Sequence, residues 1–416
     1  MTFSDLALCA PVKEAVQAAG YTTPTPIQQQ AIPMVLAGHD VFACAQTGTG
    51  KTAAFALPIL TKLHNDPSKK REPSVVVLAP TRELAAQIGE SFLTYGKRVR
   101  ARYLTVYGGV SINPQIHALR KGVDVVIATP GRLIDLIDQR AVRLDHVHTL
   151  VLDEADRMMD MGFMPQIKRI IERIPKERQT LFFSATIPEE IRSLAESILR
   201  TPTHIAVAPV SSTAERVEQR RYLVSKTDKR KLLRHLLETE ISSQVLVFAR
   251  TKRGADRIAE DLEKAEIRAV ALHGDKTQAA RERALRSFKD GRVRVLIATD
   301  IASRGIDISQ LPVVVNYDLP DSPETYVHRI GRTGRAGFEG AALTFFTPEE
   351  HRDVRDIENL IQQRIPLVQE HPFNPGPSSP TSDAAPRPQR QGDKPHQHRA
   401  PSREKSRRGR PQGHRR

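Results

Sequence analysis

A lysine that follows a glycine-containing loop, and two adjacent acids about 100 residues later, are the groups in this sequence best suited to phosphate chemistry. The apolar run Val41–Ala45 leads directly into the segment Gln46–Thr52, QTGTGKT. Glycines let successive backbone N–H groups point at phosphate oxygens where a helix begins. Lys51 would neutralise the charge of the β- and γ-phosphates, and the Thr52 hydroxyl would ligate Mg²⁺. The predicted phosphate-binding residues are Ala45, Gln46, Thr47, Gly48, Thr49, Gly50, Lys51 and Thr52.

The two acids, Asp153 and Glu154, end an apolar run that starts at Leu150. This order places carboxylates at the carboxyl edge of a sheet, where ligands bind in α/β folds. Asp153 would hold Mg²⁺, partly through water, and Glu154 would orient and deprotonate the attacking water. An acidic pair after a strand is usually a helix N-cap, but its combination with the Lys51 loop favours a nucleotide site.

A parallel sheet would bring these groups together, and the sequence predicts two such sheets. Short runs rich in Val, Ile and Leu recur along the chain, and most are separated by amphipathic helical stretches. This pattern is typical of buried parallel strands in doubly wound α/β domains. The predicted strands are Val41–Ala45, Val75–Ala79, Leu104–Tyr107, Val123–Ala128, Leu150–Asp153 and Leu181–Ser184 in the first half, and Tyr222–Ser225, Val245–Ala249, Ala269–His273, Val293–Thr299, Val313–Asp318 and Ala342–Phe346 in the second.

The charge of the chain is strongly basic and unevenly distributed. The 63 Lys plus Arg and 48 Asp plus Glu give a net charge of +15. Residues 371–416 hold 11 of the basic residues and 3 of the acids, a net of +8, which leaves +7 for residues 1–370. This last segment is rich in proline and poor in hydrophobic residues, so we expect it to be disordered. The charge as a whole predicts a polyanionic partner.

The composition also bears on the compartment. The two cysteines, Cys9 and Cys44, exclude a disulfide scaffold and fit a reducing compartment. No apolar run approaches the roughly 18 residues of a membrane span. We therefore expect a cytoplasmic protein.

The segment Asp153–Asp156 spells DEAD, the motif that names the DEAD-box ATP-dependent RNA helicases of superfamily 2. The family's other motifs accompany it in the family's order: Gly20–Gln28, Pro80–Leu84, Gly108–Gly109, Thr129–Arg132, Ser184–Thr186, Val247–Thr251, His273–Asp275 with Gln278 and Arg281, Ala298–Asp307 and His328–Arg335. The chain resembles this family over about residues 3–345, and Ala45 matches the family's phosphate loop. The compact core, the His273–Arg281 segment and the short basic tail look most like the bacterial RhlE-like branch.

The resemblance implies an α/β fold of two tandem RecA-like domains, each a doubly wound parallel sheet, followed by a disordered basic C-terminal tail. We predict five segments: 1–29 carries the Q motif, 30–208 is the ATP-binding RecA-like domain, 209–217 is a linker, 218–370 is the second RecA-like domain, and 371–416 is the tail.

Residues outside the phosphate loop complete the expected nucleotide site. The Gln28 amide can donate to and accept from the adenine edge. The resemblance implies that Tyr21 stacks on the base, that Phe3 packs beneath this motif and that Asp307 contacts the ribose. A hydrophobic staple on the first helix is the alternative for Phe3 and Tyr21.

The second domain is expected to complete catalysis. Arg332 and Arg335 lie on a glycine-rich turn, and two guanidinium groups there fit the γ-phosphate as arginine fingers. The predicted catalytic residues are Lys51, Asp153, Glu154, Arg332 and Arg335. The resemblance also implies a cluster that links the state of the γ-phosphate to domain closure, composed of Asp156, Ser184, Thr186 and His328.

A third set of motif residues is expected to hold RNA by its backbone. Small residues and glycines allow a close approach to phosphates, and Arg and Thr add donors that do not read bases. By resemblance, these residues are Arg82, Gly109, Thr129 and Arg132 in the first domain and Arg250, Thr251, Gly274 and Thr299 in the second.

The predicted function is therefore RNA-stimulated ATP hydrolysis, coupled to closure of the two domains on single-stranded RNA and to local, non-processive unwinding of short duplexes. ATP and Mg²⁺ are the expected cofactors, and the basic tail is expected to add salt-sensitive RNA affinity. We expect a monomer that acts in ribosome assembly or RNA turnover, with ribosomal precursor particles or RNA-decay proteins as partners. Two alternatives stay open: a DNA helicase, and an RNA clamp or annealing chaperone.

Overall fold

The computed structural model describes residues 1–45, 48–66, 72–206, 217–303, 311–334 and 340–375. Within these ranges the chain forms two seven-stranded sheets, and every strand pair in both sheets is parallel. The predicted fold class, two doubly wound parallel-sheet domains, is confirmed. No helix in the described part of the chain is long and apolar enough to span a membrane.

The two sheets have the same topology. The strand order is β3-β4-β2-β5-β6-β1-β7 in the first sheet and β10-β11-β9-β12-β13-β8-β14 in the second, so each strand of the first has a counterpart seven strands later. The strands are β1 Val41–Cys44, β2 Val75–Leu78, β3 Tyr103–Val106, β4 Val125–Ala128, β5 Thr149–Leu152, β6 Gln179–Ser184, β7 Thr203–Ala206, β8 Val217–Leu223, β9 Val245–Phe248, β10 Ala269–Leu272, β11 Val295–Ala298, β12 Val313–Asn316, β13 Gly340–Phe346 and β14 Leu367–Val368.

Helices cover both faces of each sheet. In the first domain they are α1 Ala10–Ala18, α2 Pro26–Leu36, α3 Lys51–Asn65, α4 Arg82–Tyr95, α5 Asn113–Lys121, α6 Pro130–Asp138, α7 Ala155–Asp160, α8 Met164–Ile171 and α9 Glu189–Ile198. In the second they are α10 Lys229–Thr239, α11 Lys252–Lys264, α12 Gln278–Lys289, α13 Asp300–Ser303, α14 Pro323–Ile330 and α15 His351–Ile361. Two 3₁₀ turns, Phe3–Asp5 and Pro348–Glu350, accompany them.

The central strands are apolar on both faces because each face packs on helices. In β2, Val75 and Val77 belong to one hydrophobic cluster, and Val76 and Leu78 belong to the cluster on the other face. Side chains alternate along a strand, so a strand buried on both sides is apolar throughout. This two-sided burial fixes the sheets, and the loops at their carboxyl edges carry the motif residues.

The predicted strands miss the polar edge of each sheet. β7 and β14 are not among them, and β8 starts at Val217, five residues before the predicted strand that begins at Tyr222. β8 reads VEQRRYL and is only half-buried, so its apolar content is low. Val217, at the end of the predicted linker, is 3% exposed and pairs with β13. The rest of that linker lies outside the described residues.

The first residues of the predicted tail are packed rather than extended into solvent. The ring of His371 lies edge-on to Tyr222 at 5.6 Å, and Phe373 packs against the hydrophobic cluster around α10 and α11. The second domain therefore includes a short segment beyond residue 370. Residues 376–416 lie outside the described part of the chain.

Candidate nucleotide and RNA site

The phosphate loop links the carboxyl end of β1 to the first turn of α3. Gly48 and Gly50 have φ values of 83° and 91°, which side chains strongly disfavour. A Cβ atom at Gly50 would also collide with the Gln28 amide. Lys51 is the first residue of α3 and is 5% exposed, and its Nζ has no hydrogen-bond partner among the described residues. The loop therefore presents a buried cation beside a helix N-terminus. Gln46 and Thr47 lie outside the described residues.

Asp153 follows β5 directly and is 2% exposed. Its Oδ1 has no hydrogen-bond partner in the described part of the chain. Burial raises the pKa of Asp153 to about 6, although nearby Lys51 opposes the shift. A buried, unpaired carboxylate oxygen of this kind fits an incoming cation.

Glu154 differs from its neighbour because a guanidinium neutralises it. The residue is the N-cap of α7 with a left-handed backbone, φ 53°, and it forms an ion pair with Arg157. Burial alone would raise the pKa of Glu154, but the charges of Arg157 and Lys51 and the hydrogen bond from Arg157 bring it to about 2. The sequence analysis did not predict this role of Arg157. Its position three residues after Glu154 on a helix was the available signal.

Gln28 connects the start of α2 to the phosphate loop. Its Oε1 accepts from the Thr25 N–H at 2.9 Å and its Nε2 donates to the Gly50 carbonyl at 3.1 Å. The side chain is buried, 6% exposed. Each amide atom retains one further hydrogen-bonding position, so the geometry is compatible with the predicted adenine contact. The structure adds a role that spacing alone did not indicate, since Gln28 holds the backbone of the phosphate loop.

The two aromatic residues expected near the base behave differently. Tyr21 is 53% exposed and has an edge contact with Tyr95, with ring centroids 6.5 Å apart. Phe3 is 7% exposed, belongs to the first hydrophobic cluster, and donates its backbone N–H to Thr22. Phe3 thus lies in the same buried cluster as Ile27 of this motif, whereas Tyr21 leaves about half of its surface exposed.

Asp156, Ser184 and Thr186 form one hydrogen-bonded cluster. The Asp156 carboxylate accepts from the backbone N–H and the hydroxyl of Thr186 at 2.8 and 2.9 Å. Ser184 Oγ accepts from the Asp156 N–H at 3.2 Å and donates to the Thr186 carbonyl at 2.7 Å. The end of β6 is thereby tied to the first turn of α7.

Residues of the second domain face this cluster across a cavity of about 520 Å³. Glu154, Asp156 and Thr186 line it from the first domain, and His328 and Arg332 line it from the second. Burial of its ring within the cavity lowers the pKa of His328, although the residue as a whole is exposed, and the charge of Asp156 opposes that shift. Arg332 is 7% exposed, and its charge acts on Glu154. The structure therefore brings these predicted residues of both domains together. Arg335 and Asp307 lie outside the described residues.

The predicted RNA residues of the first domain follow three adjacent strands. Arg82 follows β2, Gly109 follows β3, and Thr129 follows β4 as the N-cap of α6. A Cβ atom at Gly109 would collide with the Arg82 guanidinium, so these two residues are in close contact. Arg132 donates from Nη2 to the Val110 carbonyl at 3.0 Å, and its Nε and Nη1 have no hydrogen-bond partner among the described residues.

The second domain repeats this arrangement on the three equivalent strands. Arg250 and Thr251 follow β9, Gly274 lies just after β10, and Thr299 follows β11. Thr251 Oγ1 caps α11 by accepting from the Gly254 N–H at 3.0 Å. Each domain thus places its predicted RNA residues at the same half of its sheet, over β3-β4-β2 and β10-β11-β9.

One contact between the domains was not predicted from the sequence. Arg281 on α12 forms an ion pair with Glu83 on α4 at 2.8 Å, and both side chains are largely buried, 13% and 6% exposed. Both lie in quoted motifs, but their pairing requires knowledge of how the domains meet. No cluster of three or more His, Cys, Asp or Glu side chains that could hold a metal occurs in the described part of the chain.

Comparisons with known proteins agree with this geometry. A DEAD/DEAH box helicase model matches residues 25–194, and a helicase conserved C-terminal domain model matches residues 228–337. The DEAD-box ATP-dependent RNA helicase CshA of Bacillus subtilis is 44% identical over 372 residues, which are 89% of this chain and 74% of the relative. The ATP-dependent RNA helicase CshA of Listeria monocytogenes is 45% identical over 369 residues, 88% of this chain and 70% of the relative.

Two solved structures share the fold. Dbp5 of S. cerevisiae bound to RNA and ADP BeF3 is 30% identical, with a TM-score of 0.78 over 88% of this chain and 95% of that chain. A DEAD box protein from the hyperthermophile Methanococcus jannaschii is 37% identical, with a TM-score of 0.53 over 88% and 99%. Both of these sequence relatives are CshA helicases, so they support the family and not the narrower RhlE-like branch. The chain belongs to the DEAD-box family of ATP-dependent RNA helicases.

Proposed function

We propose that this protein couples RNA-stimulated ATP hydrolysis to closure of its two domains on single-stranded RNA, and so unwinds short duplexes locally. One observation carries the proposal: acids of the first domain and His328 and Arg332 of the second line a single cavity. A site assembled from two domains is complete only when they meet. Because the bound nucleotide contacts both domains, its hydrolysis would remove contacts that hold them together.

In the nucleotide site, Lys51 binds the phosphates and Glu154 acts as general base on the attacking water. Arg332, with Arg335 outside the described residues, stabilises charge on the γ-phosphate, an effect that can reach roughly 10³–10⁵ in rate. Asp153 and Thr52 would hold Mg²⁺, and the unpaired buried oxygen of Asp153 suits that role. When bound, the ion neutralises phosphate charge.

The coupling cluster and the RNA residues give the proposal its second half. Asp156 is hydrogen-bonded to Thr186 on one side and faces His328 across the cavity on the other. The eight predicted RNA residues include glycines, threonines and arginines, a set that contacts phosphates and sugars rather than base edges. We therefore propose backbone recognition without sequence preference.

Two observations support the proposal that the two domains are arranged in a closed state. The RNA- and ADP BeF3-bound Dbp5 structure has the higher TM-score, although the archaeal protein has the higher sequence identity over the same share of this chain. The buried Glu83–Arg281 ion pair between the domains supports the same interpretation.

The alternatives are separated by two assays on the full chain. A DNA helicase would show ATP hydrolysis stimulated by single-stranded DNA as well as by RNA, whereas we expect stimulation by RNA alone. A clamp or annealing chaperone would displace no strand beyond the level seen with a non-hydrolysable ATP analogue. We expect ATP-dependent displacement of a short RNA duplex.

The biological setting is a narrower proposal. We place the protein in the cytoplasm because its two cysteines, Cys9 and Cys44, are both free thiols. We propose a monomer that acts in ribosome assembly or RNA turnover, on ribosomal precursor particles or with RNA-decay proteins. The narrower RhlE-like branch rests only on the compact core, the His273–Arg281 segment and the short basic tail, and the CshA relatives do not support it. Crosslinking and sequencing of RNA bound in cells tests the pathway.

A further inference from the structure

A crowded group of basic side chains lies at the end of the first sheet opposite to the predicted RNA residues. One segment of it lies between α4 and β3, and the other is the last turn of α5, which leads into β4. All six side chains are exposed. The basic patch consists of Lys97, Arg98, Arg100, Arg102, Arg120 and Lys121.

Direct contacts show that the two segments form one surface. Arg102 donates from Nη1 to the Lys121 carbonyl at 3.5 Å, and its Nη2 lies 2.8 Å from Asp124 Oδ1. The backbone N–H of Arg102 also donates to Asp124 Oδ2 at 2.7 Å. The start of β3 and the end of α5 are therefore held together through Arg102.

Most of the charge in the basic patch is not neutralised. Arg102 pairs with Asp124, and Arg98 pairs with Glu14. In the described ranges, no ion pair joins the other four side chains to a carboxylate, so six cations against two acids leave a local charge of +4. Residues 1–370 carry only +7 in total, so this small surface holds more than half of that excess.

The surplus of positive charge in the basic patch also has a purely structural explanation, the helix dipole. Cations at a helix C-terminus are favoured by the helix dipole by about 0.3–1 kcal/mol each, and both α4 and α5 end here. A comparison with α10 limits that explanation. This helix carries four basic side chains, and each of them pairs with a carboxylate: Lys229, Arg230, Lys231 and Arg234. This chain can therefore pair a group of basic side chains fully, whereas only two of the six in the basic patch are paired with a carboxylate.

The basic patch can be reached from the predicted RNA residues along the edge of the first sheet. β3 is the edge strand of the first sheet; Arg102 precedes it and Gly109 follows it. At about 3.3 Å per residue, seven residues span at most about 23 Å. Single-stranded RNA that continues past Gly109 can therefore run along β3 to the patch.

We propose that the basic patch binds the phosphate backbone of single-stranded RNA that extends beyond the predicted RNA residues at the carboxyl edge of the first sheet. The proposal rests on the proposed function, because it extends the same RNA path. Binding by unpaired exposed cations is electrostatic, so it adds affinity without sequence preference and weakens with salt.

The test compares two charge-reversal triple variants of the full chain. The patch variant is Lys97→Glu, Arg100→Glu and Arg120→Glu. The matched control is Lys264→Glu, Arg352→Glu and Arg355→Glu, which reverses three exposed cations of the second domain. Both variants keep the C-terminal tail and have the same net charge, so neither the tail nor total charge can explain a difference between them. Thermal melts establish that both fold.

Affinity is measured with two RNAs. One has about 8 nucleotides, within the roughly 4–16 that a single-strand site occupies. The other has about 20 nucleotides and extends beyond that range. We expect all three proteins to bind the short RNA equally. The patch variant should lose about tenfold in affinity for the long RNA, and its salt slope should fall by about 2, at 0.7 per phosphate contact. The control should keep the wild-type length dependence.

Three results would overturn the proposal. The patch variant could keep the full gain in affinity from the short to the long RNA. The basic patch would then not bind RNA, and an acidic protein would be its expected partner. Both variants could lose the gain equally, which would make the effect one of total charge. The patch variant could lose the same factor in affinity for short and for long RNA, which would indicate damage to the predicted RNA residues at the carboxyl edge. Failure of the proposed function is a separate result, since it would appear as a wild-type protein whose ATPase does not respond to the short RNA.

Discussion

The guanidinium of Arg157 forms an ion pair with the carboxylate of Glu154, three residues earlier on the same helical turn. Two other cations, Lys51 from the phosphate loop and Arg332 from the second domain, act on the same carboxylate. The proposed general base is thus kept ionised inside a buried site, while its neighbour Asp153 has a raised pKa of about 6. The pKa of Asp153 is therefore raised and that of Glu154 lowered, although the two residues are adjacent. This difference suits their proposed roles as a metal ligand and as a general base.

Removal of the Arg157 side chain should make ATP hydrolysis sensitive to acid. In Arg157→Met the burial of Glu154 is no longer offset by its largest counter-charge, so the pKa of Glu154 rises. A general base must be deprotonated, so activity is lost as the pH falls through that raised pKa. RNA-stimulated ATPase should therefore drop severalfold more at about pH 6 than at about pH 8. Arg169→Met, at an exposed pair with Asp138, is the control. A loss that is the same at both pH values would contradict the assigned role.

Magnesium dependence should be linked to protonation of Asp153. Its raised pKa means that protons and the cation compete for the carboxylate as the pH falls through about 6. The half-saturating Mg²⁺ concentration for ATPase should therefore rise when the pH falls from about 7.5 to about 5.5. Asp153→Asn should need more Mg²⁺ and lose this pH dependence. A half-saturating Mg²⁺ concentration that does not change with pH in the wild type would show that Asp153 does not hold the ion.

Gln28 should affect both ATP affinity and stability. Gln28→Ala removes the bonds to the Thr25 N–H and the Gly50 carbonyl, so the phosphate loop loses a support and α2 loses its capping box. We expect a higher KM for ATP and a loss of about 1 kcal/mol in unfolding free energy. Gln28→Glu, which keeps the acceptor for Thr25, should recover part of the stability and not the ATP affinity. Equal use of GTP and ATP by the wild type would rule out the adenine contact.

The Glu83–Arg281 pair should contribute to closure. Glu83→Arg or Arg281→Glu alone leaves a buried charge opposite a like charge, and the RNA-stimulated ATPase should fall. The double exchange should restore much of it, with a coupling energy of about 0.5–3 kcal/mol in the cycle. Basal ATPase without RNA serves as the internal control. Additive losses in the double variant would mean that the two side chains do not meet in the active state.

The sequence predicted the parts of the structure that depend on two-sided burial. Central strands such as β2 and β9 are short apolar runs, and their positions were recognisable for that reason. β8 was misplaced because its polar residues alternate with buried ones, and β7 and β14 were missed because edge strands need less apolar surface. The motif letters placed Lys51 and Glu154 in one site through the strand ends that they follow.

Relationships between motifs were harder to predict. The Arg157–Glu154 pair depends on a side-chain conformation within one turn, and the Glu83–Arg281 pair depends on how two domains meet. The hydrogen bond from Gln28 to Gly50 joins residues 22 positions apart, and nothing in their spacing indicated it. Sequence patterns thus predicted candidate groups, and three-dimensional packing was needed to show which of these groups lie in contact.

The most direct test of the central claim follows ATP hydrolysis and displacement of a short RNA duplex together, in the wild type and in Glu154→Gln. The account predicts that the wild type couples the two, with hydrolysis stimulated by RNA. It also predicts that Glu154→Gln binds ATP and RNA but neither hydrolyses the ATP nor displaces a strand of the duplex. Hydrolysis by Glu154→Gln at the wild-type rate, or a wild type that hydrolyses ATP without any response to RNA, would contradict it.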